Sequence, residues 1–221
     1  MTVRELTGAL LLIGATIPAA QADTLIITRE GSRMTGDDGD VPEALRSGAD
    51  GEAKTITFWS RADRTARMDD NGKMIGDLES GVTYLVNDRN RTCYALPTRQ
   101  KAPGDAPAAQ VEVRETGESR QIGSWQAKGY ELKVAADDPI EIAVWVSDDV
   151  AVDMSAQRAY TETVVTPDTA WLLTLFDLGG YPVRQEFSMG PMRMWSELVS
   201  VDEKAAPAGT YEIPPGYSGC D

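Results

Sequence analysis

Apolar and polar residues alternate with a period of two along most of this chain, the pattern of strands that bury one face. In residues 54–60, Ile56 and Phe58 fall on one face and Trp59 on the other. The same period predicts short strands at residues 24–29, 65–69, 73–79, 82–87, 92–96, 119–125, 129–135, 140–147, 183–189, 193–202 and 210–214. The chain is therefore expected to be mainly β, with an antiparallel sheet built from successive hairpins.

Turn residues separate the strands. Asn71-Gly72 suits the positive φ angles of a type I′ turn and predicts a hairpin, and residues 88–91 predict a second one. Residues 31–51 are rich in Gly and Asp and predict a loop, whereas the Pro- and Ala-rich residues 97–109 predict an excursion from the sheet. Because strands resume directly after this excursion, we expect one domain.

The period changes to about 3.6 after the strand at residues 140–147, which predicts a helical insert. Asp168 is the expected N-cap of a helix that ends at Gly179-Gly180. Its apolar stripe comprises Trp171, Leu172, Leu175 and Phe176. A weaker helix is expected at residues 154–163. The strand at 140–147 is apolar on both faces, with Trp145 opposite the valines, so we expect the helices to cover it.

Residues 1–22 have the features of a secretory signal peptide. Arg4 supplies a positive end, residues 6–17 form a short apolar run, and Ala20-Gln21-Ala22 is a small-x-small cleavage pattern. The apolar run is shorter than the roughly twenty residues that span a bilayer. We therefore expect cleavage after Ala22 and a periplasmic mature chain, residues 23–221, without a transmembrane anchor.

Cys93 and Cys220 are the only cysteines, and an exported chain meets an oxidising compartment. They are expected to form a disulfide that ties the C-terminal tail to a strand. The alternative is two free thiols, Cys93 within a strand and Cys220 on a frayed end.

Histidine is absent, which removes the usual general base and the usual nitrogen ligand of transition metals. Asp148 and Asp149 are adjacent in sequence and do not form a shared acid–base pair on a strand. Met189, Met192 and Met194 could hold Cu(I), but methionine is also an ordinary core residue. Asp37, Asp38 and Asp40 lack calcium-loop spacing. We therefore expect no enzyme, no bound metal and no cofactor.

The formal net charge of −14 bears on possible partners. A strongly acidic chain is repelled by nucleic-acid phosphates and by anionic lipid headgroups. Nucleic acid is therefore not an expected partner.

The order of elements, with a helical insert before the last hairpin, resembles an uncharacterised bacterial family of periplasmic domains with the LolA/LolB lipoprotein-carrier fold. The residues that carry the resemblance are Gly129-Tyr130, the strand end at 144–148, the turn at 178–183 and Pro215-Gly216-Tyr217. The resemblance implies a half-open antiparallel β-barrel covered by one or two helices. It covers residues 23–217.

Such a fold implies a protein that binds a hydrophobic ligand, a lipid or a lipidated protein, without chemistry. The large residues placed near the ligand are Trp59, Trp145, Trp171, Leu172, Leu175 and Phe176. The same side chains are also consistent with a packed barrel core. An interaction or envelope-sensor module that binds an apolar protein segment on its concave face is the alternative function.

Overall fold

The computed structural model describes residues 22–34, 53–96, 110–135 and 139–220. The strands are β1 (Asp23–Met34), β2 (Lys54–Ser60), β3 (Arg64–Asp69), β4 (Gly72–Asp77), β5 (Val82–Asn87), β6 (Thr92–Leu96), β7 (Val111–Ile122), β8 (Trp125–Val134), β9 (Ile140–Ser147), β10 (Tyr181–Met189) and β11 (Met192–Lys204). Helix α1 (Ser155–Val164) and the 3₁₀ helix η1 (Pro167–Asp177) separate β9 from β10. The signal segment at 1–21 and the excursion at 97–109 lie outside the described residues.

The strands form one 11-stranded sheet in the order β6-β5-β4-β3-β2-β1-β11-β10-β9-β8-β7. Each pair of neighbouring strands is antiparallel. Strands β6 and β7 end the order, and in the described ranges they do not pair with each other. The predicted fold class, a half-open antiparallel sheet with one or two covering helices, is confirmed. In the same ranges, no helix is long and apolar enough to cross a membrane.

The register of the ladders defines two faces of the sheet, because directly paired residues share a face. One face carries the row Ile26, Phe58, Arg67, Met74, Leu85 and Tyr94. The opposite face carries the row Leu25, Trp59, Ala66, Ile75, Tyr84 and Ala95. We call the first the helix face and the second the strap face, after the segments that cover them.

Both helices lie on the helix face. Tyr160 of α1 contacts Phe58 edge to face, with ring centroids 5.9 Å apart. Trp171 and Leu175 of η1 are buried against the even-numbered residues of β9, which are Ile142, Val144 and Val146. The prediction that the helical insert covers this apolar strand is confirmed for the even-numbered face of β9.

The strap face is covered by residues 205–220, which we call the C-terminal strap. Ala206 and Tyr211 pack on the cluster of Leu25, Trp59 and Ala66. Further along, Ile213 and Tyr217 pack on Ile75, Val86 and Cys93. Residues 210–214 form turns and irregular backbone instead of the predicted edge strand. That prediction was wrong because these residues cross over the sheet and do not join its edge.

The predicted disulfide between Cys93 and Cys220 is confirmed. It fixes the end of the strap to β6, next to a single parallel bridge between Thr92 and Ser218. The backbone nitrogen of Cys93 donates a 2.8 Å hydrogen bond to the carbonyl oxygen of Ser218.

Strand β1 extends through Met34, whereas a loop was predicted from Gly31. It pairs with β11 over its whole length. Gly31 is required by packing, because a side-chain carbon there would lie 2.7 Å from the indole ring of Trp195. The glycine marks a close approach of an aromatic ring to a strand.

The sequence also misplaced β7. The predicted strand at 119–125 runs across the turn at residues 123–124, where Gly123 has a φ of +56°. The true β7 begins at Val111, and most of its side chains are exposed. An exposed edge strand has no buried face, so its sequence need not alternate between apolar and polar residues. For this reason the first half of β7 could not be recognised as a strand from its sequence.

Two local predictions were wrong although their elements exist. The central residues of the β3–β4 turn are Asp70 and Asn71, and neither has the positive φ that a type I′ turn requires. Gly72 follows with a φ of +151°. The N-cap of η1 is Thr166, which forms a capping box with Thr169, so Asp168 is not the cap.

Candidate functional site

Four of the six residues predicted to line a ligand site lie together on η1. Trp171 and Leu175 are buried against β9. Leu172, Leu175 and Phe176 line a pocket of about 150 Å³ between η1, α1 and β10. The structure therefore brings these four residues to the helix face.

The other two predicted residues lie elsewhere. Trp59 belongs to the strap face, where it packs with Leu25 and Ala66. Trp145 alternates with Val144 and Val146 and therefore points to the opposite side of β9 from Trp171. The guanidinium of Arg120 lies 3.5 Å from the centroid of the Trp145 ring. Neither tryptophan shares the pocket beneath η1.

The pocket beneath η1 combines apolar walls with uncharged polar groups. Besides the three η1 residues, its described lining comprises Gln157, Thr161, Tyr181, Pro182 and Gln185. The Gln157 side-chain amide donates to the Tyr181 hydroxyl at 3.4 Å. Burial raises the pKa of Tyr181, and the hydrogen bond from Gln157 acts in the opposite direction. The phenol is thus neutral at physiological pH.

A second concavity of about 290 Å³ lies on the helix face near the β6 end of the sheet. We call it the edge groove. Its lining follows the cross-strand row Arg67, Met74, Leu85 and Tyr94. Arg67 is held by an ion pair of 2.8 Å with Glu30. The floor of the groove is apolar at Met74, Leu85 and Tyr94, and its rim carries the polar and charged residues Arg67, Asp69, Asn71, Lys73 and Asn87.

Large exposed apolar side chains concentrate at the two ends of the sheet. Tyr94 and Leu96 on β6 are 58% and 42% exposed, and Val113 on β7 is 42% exposed. The ladders place all three on the helix face. A fourth, Val199, lies at the irregularity in the pairing of β11 with β1.

Tyr160 of α1 sits between the edge groove and the core. Its hydroxyl lies 3.7 Å from the sulfur of Met74, which lines the groove. Burial raises the pKa of Tyr160, while the positive charge of Arg67 lowers it. The ring is seated on Gly76, where a side-chain carbon would lie 2.8 Å from Cδ2 of Tyr160.

The sequence did not single out Met74, Leu85, Tyr94 or Tyr160 as site residues. A partial signal was present, because Leu85 lies between the polar Thr83 and Asn87 on its face of β5, and Met74 is the large residue between two glycines on its face of β4. Their approach to α1 depends on strand register, which periodicity alone does not supply.

The sequence left metal and acid–base sites as alternatives. The described residues contain no group of three or more His, Cys, Asp or Glu side chains that could bind a metal. Asp37, Asp38, Asp40 and the side chain of Met189 lie outside what is described. Asp148 pairs with Lys128 at 3.1 Å, and Asp149 accepts a hydrogen bond from the backbone nitrogen of Gln126. These two carboxylates therefore have separate partners.

Comparisons with known proteins identify a family. The profile of the family described as "Domain of unknown function (DUF4412)" matches residues 56–217. No curated protein sequence matches the chain. The Mycobacterium tuberculosis lipoprotein LppX is similar in structure, with a TM-score of 0.34 and 9% identity over 86% of this chain and 90% of LppX.

A putative outer membrane lipoprotein-sorting protein domain from Vibrio parahaemolyticus is also similar in structure. Its TM-score is 0.37 and its identity 5%, over 85% of this chain and 88% of that domain. The family match confirms the prediction that the chain belongs to an uncharacterised domain family.

Proposed function

This chain belongs to the DUF4412 family, a domain of unknown function, and we propose from the geometry of its own residues that it binds a hydrophobic ligand without chemistry. The ligand is a lipid or the acyl part of a lipidated protein. The binding surface is the helix face, between the pocket beneath η1 and the edge groove.

One observation carries the proposal. The row of the helix face is interrupted by Arg67, which is paired with Glu30, and is apolar again from Met74 through Leu85 to Tyr94 at the edge strand. There the apolar surface meets water in a groove of about 290 Å³. Contiguous exposed apolar surface of this kind marks a binding surface more often than isolated exposed residues do. An acyl chain lying in this groove would cover Leu85 and Tyr94.

The pocket beneath η1 is smaller than a lipid site. Its volume of about 150 Å³ lies below the roughly 300–1,000 Å³ of typical ligand sites. A long acyl chain therefore requires the helices to move away from the sheet. The helices are suited to such movement, because α1 has no side-chain cap and η1 is an 11-residue 3₁₀ helix. Runs of 3₁₀ helix longer than about four residues are uncommon because their hydrogen bonds are poorly aligned.

We further propose that the protein is exported and acts in the periplasm as a single domain after cleavage at Ala22. The Cys93–Cys220 disulfide supports this, since structural disulfides persist in oxidising compartments. The acidic composition argues against nucleic acid as a partner.

Native mass spectrometry of the protein purified from a periplasm without detergent tests the proposal. We expect an added mass in the range of a lipid that is lost on denaturation. The variant Leu85→Asp, in the edge groove, should lose this mass, whereas Val199→Asp, exposed on β11, should keep it. An unliganded wild-type protein that also takes up no lipid from vesicles would refute the proposal.

A second candidate function is supported by the position of the groove beside edge strand β6. In the described residues, β6 pairs with β5 and with Ser218 of the strap alone. An extended segment of another protein can add to such an edge and place side chains in the groove. A co-purified polypeptide mass in the same experiment would favour this interaction module over a lipid carrier.

A further inference from the structure

The ring of Tyr160 covers a gap in the sheet that Gly76 leaves open. A side-chain carbon at Gly76 would lie 2.5 Å from Oγ1 of Thr65 and 2.8 Å from Cδ2 of Tyr160. The absence of a side chain at Gly76 thus creates the space that the tyrosine ring fills. The space belongs to the sheet, whereas the ring that occupies it belongs to the covering helix.

Two threonines flank Gly76 in one cross-strand row, since Thr65 pairs with Gly76 and Gly76 with Thr83. Their exposed fractions are 0% and 3%. Within the described part of the chain, neither hydroxyl oxygen has a hydrogen-bond partner. A buried polar group without a partner destabilises a protein, because it loses its hydrogen bonds to water on folding. Two such groups on either side of Gly76 in one cross-strand row are an uncommon arrangement for a purely structural site.

The space is adjacent to the edge groove. Met74 lines the groove and also contacts the hydroxyl of Tyr160. Removal of the ring would therefore open the threonine floor toward the groove. The remaining wall includes Phe58, whose ring contacts Tyr160.

We propose that the space beneath Tyr160 is a ligand subsite in which the hydroxyls of Thr65 and Thr83 donate hydrogen bonds to an uncharged carbonyl, such as that of an acyl ester. Tyr160 fills the subsite until the ligand displaces it. This inference rests on the proposed function, because it names the chemical class of ligand that the helix face takes.

The charges around the subsite favour an ester over a free fatty acid. Arg67 is the charged group that acts on the Tyr160 phenol, and its guanidinium is already paired with Glu30. Two neutral hydroxyls do not offset the transfer of a carboxylate from water into a buried site. An ester carbonyl costs less free energy to remove from water, and hydrogen bonds from the two hydroxyls are sufficient to offset that cost.

Fluorescence titration with cis-parinaric acid and with its methyl ester tests the subsite, since the two probes differ in charge at the same chain length. The shape-matched double variant Thr65→Val/Thr83→Val removes both hydroxyls. We expect it to bind the ester about tenfold more weakly, a loss that corresponds to one or two hydrogen bonds, and to bind the acid as the wild type does. Its urea midpoint should be unchanged or higher, because two unpartnered polar groups are gone.

Tyr160→Ala should bind the ester several-fold more tightly, since no ring has to be displaced, while the matched control Tyr160→Phe should bind it as the wild type does. Undiminished ester binding by the double threonine variant would overturn the subsite, and so would tighter wild-type binding of the acid than of the ester. Failure of wild type and Tyr160→Ala to bind either probe would instead overturn the proposed function itself.

Discussion

The ammonium nitrogen of Lys73 lies 2.6 Å from the carbonyl oxygen of Gly209, so a side chain of β4 holds the backbone of the C-terminal strap. Burial lowers the pKa of Lys73, and the carboxylates of Asp88 and Glu212 act in the opposite direction. The disulfide fixes the same strap at its far end. These two attachments are therefore expected to be energetically coupled.

Replacing both cysteines, as Cys93→Ser/Cys220→Ser, should lower the free energy of unfolding by about 2–5 kcal/mol. The two residues are 127 positions apart, and a bond that closes a long loop restricts the unfolded chain strongly. Urea unfolding of the oxidised wild type and of the variant measures the difference. A change below about 1 kcal/mol would mean that the strap is held by its other contacts alone.

Lys73→Met should destabilise the wild type by about 1 kcal/mol, because the Gly209 carbonyl loses its donor. In the serine double variant the same substitution should have a smaller effect, since the strap is already loosened. A double-mutant cycle on urea unfolding gives the coupling directly. Strictly additive effects would contradict the view that both residues hold one segment.

Gly72→Ala should destabilise the protein by more than about 2 kcal/mol, combining an unfavourable backbone conformation with a collision. Gly72 has a φ of +151°, and a side-chain carbon would lie 2.0 Å from the carbonyl oxygen of Val86. Gly117→Ala is the matched control, because Gly117 has a φ of +75° with open space around it. Equal effects in thermal unfolding would show that the contact with β5 contributes nothing.

The bounds of four strands could be predicted from sequence to the residue, whereas those of β1 and β8 could not. The bounds of β2, β5, β6 and β9 agree with the alternating pattern. The exposed first half of β7 and the crossing strap at 210–214 were not predictable in this way. Neither an exposed edge strand nor a segment that crosses over a sheet has to alternate between apolar and polar residues.

The candidate site was predictable only where it lies on one local element. The stripe Trp171, Leu172, Leu175 and Phe176 depends on helical spacing, and the structure keeps it together. The edge groove and the floor beneath Tyr160 are formed by side chains from separate strands. These side chains are brought together by strand register and by the glycine at position 76. Neither the register nor the role of this glycine can be derived from the local sequence period.

The free energy of unfolding should decrease above about pH 10, because buried tyrosines resist ionisation in the folded chain. Tyr181→Phe should make this decrease smaller. Burial raises the pKa of Tyr181 above its ordinary value of 10.0. The unfolded chain then releases this proton at a lower pH than the folded chain. The contribution is fully present below the unfolded pKa and is lost as the pH rises through the folded pKa.

Urea unfolding at about pH 8 and about pH 11 measures this difference. The fall in unfolding free energy should be smaller for Tyr181→Phe than for the wild type. Tyr94→Phe, at an exposed position, serves as the control and should leave the fall unchanged. Identical pH dependence in Tyr181→Phe and wild type would contradict a buried neutral phenol at this position.

Trp171→Asp should abolish retention of a hydrophobic ligand while the chain is still exported. Trp171 is 7% exposed and packs on Val144 and Val146, so a carboxylate there would be driven toward water and would carry η1 away from the sheet. Trp171→Phe keeps an apolar ring and should retain the ligand. Native mass spectra of periplasmic protein, compared at equal yield, give the bound fraction. Because η1 contributes three of the residues that line its pocket, full retention by Trp171→Asp would count against η1 as the lid and would leave the edge groove as the binding surface.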